Sequence, residues 1–250
     1  MMSAETPLLS IVIPAYNEEG RLPATLSNVM GYLARQSYAS EVLVVDDGSS
    51  DGTVAAAAQP GVTVLRRDHR GKGFAVRAGA LAARGRYVLL CDADMAVPIE
   101  EWEKMHAHLV AGSDVVIGSR EGLGASRQGE PWYRHVMGRV FNMIIRGVAI
   151  QGIKDTQCGF KALSHATAQD LFRRVRIYGD SAPILRGAAV TAYDVELLFL
   201  ARRCGYRIAE VPVRWNYGTE TKVSPVRDSL RNLRDVLTVR LNDLRGRYNT

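Results

Sequence analysis

The chain of 250 residues has few cysteines and no long apolar run. Its three cysteines are too few, and odd in number, for a disulfide-stapled scaffold, so a reducing compartment is expected. No apolar stretch approaches the roughly 18 residues of a membrane-spanning helix, and the opening segment MMSAETPLL does not have the pattern of a signal peptide. With 47% hydrophobic and 23% charged residues, the composition is typical of a globular protein with a substantial core.

Two common nucleotide-binding motifs are also missing. Gly71-Lys72-Gly73 lacks the rest of a P-loop, and the chain contains no GxGxxG. The net charge of +6 favours an anionic partner, and the excess is concentrated after Arg120, with five arginines and two glutamates between Arg120 and Arg146. Basic and aromatic residues do not alternate as in single-strand binders, so no nucleic-acid partner is expected.

Strand-like and helical patterns alternate along the first 120 residues. The predicted strands are Leu8–Pro14, Glu41–Val45, Val62–Leu65, Arg86–Cys91 and Asp114–Gly118. Their alternation with helical segments predicts an α/β fold with a mostly parallel central sheet flanked by helices. No linker or repeat interrupts the chain, so we expect one domain over residues 1–250, with halves at about 8–120 and 121–250.

The second half is less regular. Helices are predicted over 136–150, 193–203 and 225–245, and a strand over 207–213. One side of the last helix carries a regular apolar stripe, formed by Val226, Leu230, Leu233, Leu237, Leu241 and Leu244. Such stripes usually pack on the protein's own sheet, but flanking arginines also suit this helix to an anionic membrane surface.

Two pairs of carboxylates follow predicted strands, where open α/β sheets bind ligands. Asp92 and Asp94 can turn toward one cation, and hard oxygen ligands suit Mg²⁺ or Mn²⁺. Asp46 and Asp47 can accept hydrogen bonds from a base or a ribose, beside glycines that let a ligand approach the backbone. The alternative in each case is an ordinary solvated turn, with Asp51 capping a helix in the second.

These segments occur in the order and at the intervals of a known family. The first four are Pro14–Glu19 (PAYNEE), Asp46–Thr53 (DDGSSDGT), Gly71–Gly73 and Asp92–Asp94. Together they resemble the family 2 inverting glycosyltransferases, which have the Rossmann-like GT-A fold. Segments that resemble the polyprenyl-phosphate branch, with its dolichyl-phosphate glucosyltransferases and mannose synthases, are Gly118–Arg120, Asp155–Lys161 (DTQCGFK) and Tyr193–Leu197.

The resemblance, which runs from about Leu9 to Val239, implies a role for each matching residue. Residues 8–120 would form the nucleotide-binding half and 121–250 the acceptor-binding half. Asp92 and Asp94 would hold Mg²⁺ or Mn²⁺ on the diphosphate. The implied nucleotide-binding set is Pro14, Tyr16, Glu18, Asp46, Asp47, Lys72, Gly73, Asp92 and Ala93. The catalytic set is Asp94, Arg120, Asp194 and Lys222, and the acceptor-phosphate set is Arg120, Arg134 and Arg139.

The implied reaction is a metal-dependent inverting transfer of a hexose from a nucleotide diphosphate sugar to a polyprenyl or dolichyl phosphate. UDP-glucose is the favoured donor, because Ala96 stands where mannose synthases typically have glutamine. GDP-mannose is the alternative donor. A phosphate acceptor is already ionised and needs arginines rather than a strong base, whereas a soluble hydroxyl acceptor would need Asp194 or Glu196 as base.

The non-enzyme alternative is a nucleotide-binding module. The expected location of the protein is the cytoplasm, with peripheral contact to the cytoplasmic membrane face. The sequence does not indicate which oligomeric state the protein adopts.

Overall fold

The computed structural model describes residues 6–129, 150, 152–185, 187, 192–217 and 225–249. The strands there are β1 (Leu9–Ala15), β2 (Ser40–Asp47), β3 (Val62–Arg67), β4 (Tyr87–Leu90), β5 (Val115–Ser119), β6 (Ser126–Gln128), β7 (Lys161–Ser164), β8 (Ile208–Pro212) and β9 (Arg214–Asn216). The helices are α1 (Leu22–Leu33), α2 (Thr53–Ala57), α3 (Lys72–Ala82), α4 (Trp102–Val110), α5 (His165–Arg174), α6 (Tyr193–Arg203) and α7 (Pro225–Leu244), with a 3₁₀ turn at Ile99–Glu101.

Seven of these strands form one sheet in the order β3-β2-β1-β4-β7-β5-β8. Strand β7 runs antiparallel to its neighbours β4 and β5, and every other pair in the sheet is parallel. Strands β6 and β9 pair separately. The predicted α/β class with a mostly parallel sheet is confirmed.

Both faces of the sheet are covered, which explains why its inner strands are continuously apolar. On β1, Val12 points into a cluster that includes buried side chains of α3, α5 and α6. Its neighbours Ile11 and Ile13 point into the opposite cluster, with α1 and α4. The alternation of side chains along a strand therefore divides one apolar run between two cores.

The structure departs from the sequence predictions mainly around β7. The sequence identifies Asp155–Lys161 only as a motif, yet Lys161–Ser164 form a strand inside the sheet. The strand predicted over 207–213 is confirmed as β8, and the unpredicted strand β9 follows it after Val213. Helices over 193–203 and 225–245 are confirmed as α6 and α7. The predicted helix over 136–150 lies outside the described residues, apart from Ile150.

The topology gathers polar residues at one edge of the sheet. The parallel strands β1, β2, β4 and β5 all end there, so the residues at or just after their ends meet. Because β7 runs the other way, its first residue lies at that same edge, where Lys161 is opposite Leu90 and Ile117.

The C-terminal part of helix α7 exposes three leucines of its apolar stripe. Leu237, Leu241 and Leu244 are 54%, 44% and 83% exposed, whereas Val236 and Val239 are buried against the core. The stripe therefore does not pack on the protein's own sheet at these three positions. Within the described part of the chain, no helix is both long and apolar enough to cross a membrane.

Candidate active site

One end of the site is organised around Asp47, the last residue of β2. Its carboxylate accepts hydrogen bonds from the backbone N–H groups of Arg70 and Gly71, each at 2.9 Å. The ring of His69 adds a contact from Nδ1 to Oδ2 at 2.8 Å. Burial raises the pKa of Asp47 above its ordinary value, although these donors favour the charged form. Asp47 therefore holds the turn that leads into α3.

His69 connects this turn to two other parts of the site. Its ring stacks on Tyr16, with ring centroids 3.9 Å apart and planes 8° from parallel. Its Nε2 lies 2.9 Å from the carbonyl oxygen of Gly187. The aromatic surface predicted to line the nucleotide pocket is thus built from Tyr16 and His69 together.

The loops after β1 and β2 are tied to each other by side chain to backbone hydrogen bonds. Asn17, with a positive φ of 53°, accepts from the Ser50 N–H at 2.9 Å. The Glu18 N–H donates to Thr53 at 2.7 Å, while the Glu18 carboxylate pairs with Arg21 at 2.7 Å. These contacts join the two loops that carry the motifs PAYNEE and DDGSSDGT, so that together they form one wall of the candidate site.

Other predicted residues in this region have local partners. Pro14 is buried within β1. Buried Asp46 accepts a hydrogen bond from the Ser49 N–H at 3.2 Å. The Asp51 carboxylate accepts from the Thr53 N–H at 3.0 Å, as expected of a turn that begins a helix.

A compact charge cluster follows β4. The Lys72 ammonium, on the first residue of α3, lies 2.6 Å from Asp92 Oδ1. Burial opposes ionisation of Asp92, but Lys72, with smaller effects from Lys161 and Arg120, lowers the pKa of its carboxyl. Desolvation and the charge of Asp92 raise the pKa of Asp94. Ala93 between them is buried and bonded through its carbonyl to the Thr25 hydroxyl at 2.6 Å.

The cluster fits a divalent cation. In the described ranges no group of three His, Cys, Asp or Glu side chains converges as a closed metal cage. Two carboxylates completed by water and substrate phosphates are the usual environment of Mg²⁺. Gly159 packs so closely on Asp92 that an added Cβ would lie 2.2 Å from Oδ2. The Gly159 backbone therefore restricts the orientation of the Asp92 carboxylate, as neighbouring groups do for metal ligands.

Arg120, just after β5, is locked by a buried acid. Its Nε and Nη2 lie 2.7 and 2.9 Å from the two carboxylate oxygens of Asp155. Its guanidinium also stacks over Trp215, 5.4 Å from the ring centroid. Asp155 is fully buried, and although burial opposes its ionisation, Arg120 holds the pKa of that carboxyl well below its usual range.

The two base candidates on α6 are both engaged. Asp194 forms an ion pair with the buried ammonium of Lys161. Glu196 is buried and accepts hydrogen bonds from the Arg176 N–H at 2.8 Å and the Tyr248 hydroxyl at 2.7 Å. Burial raises the pKa of Glu196. These contacts give Glu196 a structural role in holding neighbouring segments together.

The structure thus brings the central predicted residues together. Lys72, Asp92, Asp94, Arg120 and Asp194 are linked by ion pairs or by electrostatic effects on one another. Arg134, Arg139 and Lys222 lie outside the described residues.

Sequence reasoning missed three contributors, namely His69, Asp155 and Lys161. The motif DTQCGFK contains the last two, but the sequence assigns no role to either of them.

A cleft of about 700 Å³ opens beside Asp94 and is bordered by Arg21, Thr25 and Asn216.

Comparison with known proteins agrees with this geometry. The model for glycosyl transferase family 2 matches residues 10–172. A dolichyl-phosphate beta-glucosyltransferase of Dictyostelium discoideum is 32% identical over 257 residues, covering 95% of this chain and 75% of the relative. The protein of the same name from Drosophila melanogaster is 34% identical over 263 residues, covering 96% and 76%.

Solved structures share the fold. Mannosyl-3-phosphoglycerate synthase from Rubrobacter xylanophilus has a TM-score of 0.67 at 22% identity, covering 96% of this chain and 76% of that one. Glucosyl-3-phosphoglycerate synthase from Mycobacterium tuberculosis, crystallised with Mn²⁺ and uridine-diphosphate-glucose, has a TM-score of 0.63 at 20% identity, covering 94% and 79%. The predicted GT-A type fold is confirmed, and the chain belongs to glycosyl transferase family 2 and is a glycosyltransferase.

Proposed function

We propose that this glycosyltransferase moves glucose from UDP-glucose to a polyprenyl or dolichyl phosphate with inversion at the anomeric carbon. The observation that carries the proposal is the cluster of Lys72, Asp92 and Asp94 at the end of β4, with Arg120 near enough to affect Asp92. It supplies charges for a diphosphate leaving group and a guanidinium for a second phosphate. The names of the relatives, both dolichyl-phosphate beta-glucosyltransferases, support a glucosyl donor and a dolichyl acceptor.

The donor would be held from both ends. Tyr16 and His69 offer a flat surface for the base, and Lys72 reaches the diphosphate from the beginning of α3. Mg²⁺ or Mn²⁺ held by Asp92 and Asp94 would neutralise charge on the leaving nucleoside diphosphate. Lys72, whose pKa is raised by Asp92 and Asp194 against the effect of burial, remains an ammonium and adds to that stabilisation.

The acceptor side favours a phosphate over a hydroxyl. A phosphate monoester is largely ionised at pH 7 and is already a nucleophile. Arg120, fixed by Asp155 and Trp215, is preorganised to orient such an anion. Asp194 and Glu196, the base candidates for a hydroxyl acceptor, are both held by other groups. Arg134 and Arg139 complete the proposed acceptor set, and Lys222 is proposed to close over the diphosphate.

Helix α7 gives the protein a route to a lipid acceptor. Its outward leucines, Leu237, Leu241 and Leu244, present an apolar stripe, and Arg234 and Arg245 are exposed on the same helix or at its end. A helix of this kind lies in a membrane interface, with leucines in the acyl boundary and arginines at anionic headgroups. We propose that α7 attaches the enzyme to the cytoplasmic membrane face.

A donor and metal screen tests the function. The purified protein is incubated with UDP-glucose or GDP-mannose, with Mg²⁺, Mn²⁺ or EDTA, and with a short polyprenyl phosphate or a soluble phosphate acceptor, and products are identified by mass. We expect glucosylated polyprenyl phosphate only with UDP-glucose and a divalent cation. Mannosyl product would reassign the donor, product on the soluble acceptor alone would reassign the acceptor, and full activity in EDTA would contradict the metal role.

Asp94 offers a matched test of the same proposal. Asp94→Asn replaces a carboxylate ligand with a neutral amide, so transfer should be abolished and Mn²⁺ binding weakened. Glu103→Gln removes one charge from an exposed position on α4 and should leave both unchanged.

A further inference from the structure

Lys161 is a buried cation directly under the candidate active site. Its side chain is 0% exposed, and it is the first residue of the antiparallel strand β7. The ammonium donates to the Asp194 carboxylate and to the Cys158 carbonyl. Burying an ammonium raises the free energy of the folded state unless the group is paired and hydrogen-bonded. The Asp194 carboxylate and the Cys158 carbonyl are therefore held in place around Lys161.

The contact with Cys158 reaches the predicted metal ligand Asp92. Cys158 is followed by Gly159, which lies so close to the Asp92 carboxylate that a Cβ would come within 2.6 Å of both oxygens. Fixing the Cys158 carbonyl fixes this turn, and the turn forms the surface on which Asp92 rests. A shift of the turn would therefore change the direction of the Asp92 carboxylate.

The contact with Asp194 reaches Lys72. Asp194 lies in the first turn of α6, next to buried Tyr193. The Tyr193 ring has two ammonium groups near it, with Lys72 Nζ 5.8 Å and Lys161 Nζ 5.9 Å from its centroid. Gly73 packs on the same tyrosine, because an added Cβ would lie 2.7 Å from Tyr193 Cβ. The beginning of α3 therefore rests on Tyr193.

We propose that Lys161 is a positioning residue for the donor diphosphate and its metal, acting on Asp92 through the Cys158–Gly159 turn and on Lys72 through Asp194 and Tyr193. The inference rests on the proposed function, which makes Asp92 and Lys72 part of the diphosphate site. Lys161 itself is too deeply buried to touch the substrate. Its effect is that of an outer-shell group, whose removal typically weakens metal affinity 10- to 100-fold.

The decisive measurement is Mn²⁺ affinity in the presence of UDP, followed by the EPR signal of free Mn²⁺. Lys161→Met keeps the length of the side chain and removes its charge, and we expect the Kd for Mn²⁺ to rise roughly 10- to 100-fold. The KM for UDP-glucose should rise and kcat should fall, while the KM for the acceptor should change little. All measurements are made well below the melting temperature of each variant.

A destabilising variant elsewhere separates positioning from general loss of stability. Glu41 at the beginning of β2 is a mostly buried carboxylate bonded to Ser10 at 2.6 Å and to Arg84 at 2.8 Å. Glu41→Gln should lower the melting temperature without changing Mn²⁺ affinity. If Lys161→Met lowers only the melting temperature in the same way, Lys161 is a stabilising residue and the proposal is overturned.

If the single lysine variant does not fold, the double variant Lys161→Met/Asp194→Asn keeps the test decisive. The double variant removes both charges, so it should fold, yet we expect its Mn²⁺ affinity to stay at least ten-fold weaker than that of the wild type. Wild-type affinity in the double variant would overturn the proposal. Failure of the wild type itself to bind Mn²⁺ with UDP and to transfer glucose would instead refute the proposed function, and the inference with it.

Discussion

Arg120 and Asp155 form a two-point ion pair in the candidate site, with Nε–Oδ2 and Nη2–Oδ1 distances of 2.7 and 2.9 Å. Asp155 is completely buried, and its carboxylate also accepts a hydrogen bond from the Arg120 N–H at 3.0 Å. The pair therefore fixes the backbone and the side chain of Arg120 together. Its strength can be measured through its effect on stability.

Asp155→Asn should lower the free energy of unfolding at pH 7 by about 3 kcal/mol, because it leaves a largely buried guanidinium without its counterion. The folded-state pKa of Asp155 is lowered, so its contribution is complete above the unfolded value of about 4. It is lost progressively as the pH falls through about 4 toward the lowered pKa. Urea denaturation from pH 7 to pH 2 should therefore show a flatter profile for the variant.

A surface pair provides the control for that measurement. Asp180, whose side chain is 87% exposed, also pairs with an arginine, Arg77, at 2.7 Å. Asp180→Asn should change the free energy of unfolding by less than about 1 kcal/mol. Equal losses in the two variants would contradict the importance assigned to Asp155.

Gly159→Ala should disable the proposed metal site with a single methyl group. The added Cβ would fall 2.2 Å from Asp92 Oδ2, so the carboxylate or the turn must move. We expect transfer to fall at least ten-fold and Mn²⁺ affinity to fall with it. Gly31→Ala in α1 is the control, because no atom lies within 4 Å of its added Cβ. It should stabilise the protein by about 0.5–1 kcal/mol and leave activity intact.

His69→Ala should weaken UDP binding about ten-fold. The substitution removes the ring that stacks on Tyr16 and that contacts both Asp47 and the Gly187 carbonyl. Loss of about 1.4 kcal/mol, the scale of one hydrogen bond and one ring contact, corresponds to that factor. Calorimetric titration with UDP measures it, with His108→Ala on the exposed side of α4 as control. Unchanged affinity for UDP would contradict the role proposed for His69 in binding the nucleotide.

The outward leucines of α7 should be required for membrane attachment and dispensable for folding. Leu237→Glu/Leu241→Glu should abolish co-sedimentation with anionic liposomes at low salt and lower the melting temperature only slightly, because both side chains are about half exposed, at 54% and 44%. Val236→Ala/Val239→Ala should do the reverse, since those side chains are buried. Failure of the intact protein to bind such liposomes would refute the role of α7.

The alternation of strands and helices was readable from the sequence because each apolar run is short and ends in polar residues. The antiparallel strand β7 was not readable in this way. Its four residues, beginning with Lys161, contain too little pattern, and its place between β4 and β5 depends on pairing with segments distant in the chain. The same limit applies to α7, where periodicity revealed the leucine stripe but not that buried Asn232 and Asn242 would face the protein.

The position of the candidate site residues was predictable where they directly follow a strand. Asp92 and Asp94 could be assigned together because both follow one strand and suit one cation. Asp155 and Lys161 act through partners, and nothing in local sequence shows that Arg120 and Asp194 are those partners. His69 was passed over because only the fold brings it onto Tyr16.

The position of β7 also sets an order for events during synthesis. When the ribosome has made the first 120 residues, β4 has only one of its two neighbours and β5 has neither, because β7 and β8 are still to come. Such open edges invite pairing with other chains, so nascent or truncated forms that stop before Lys161 should be prone to aggregate and to need chaperones. Asp92 acquires its support from Gly159 at the same moment, so this proposed metal ligand is held in place only after the DTQCGFK segment has been translated.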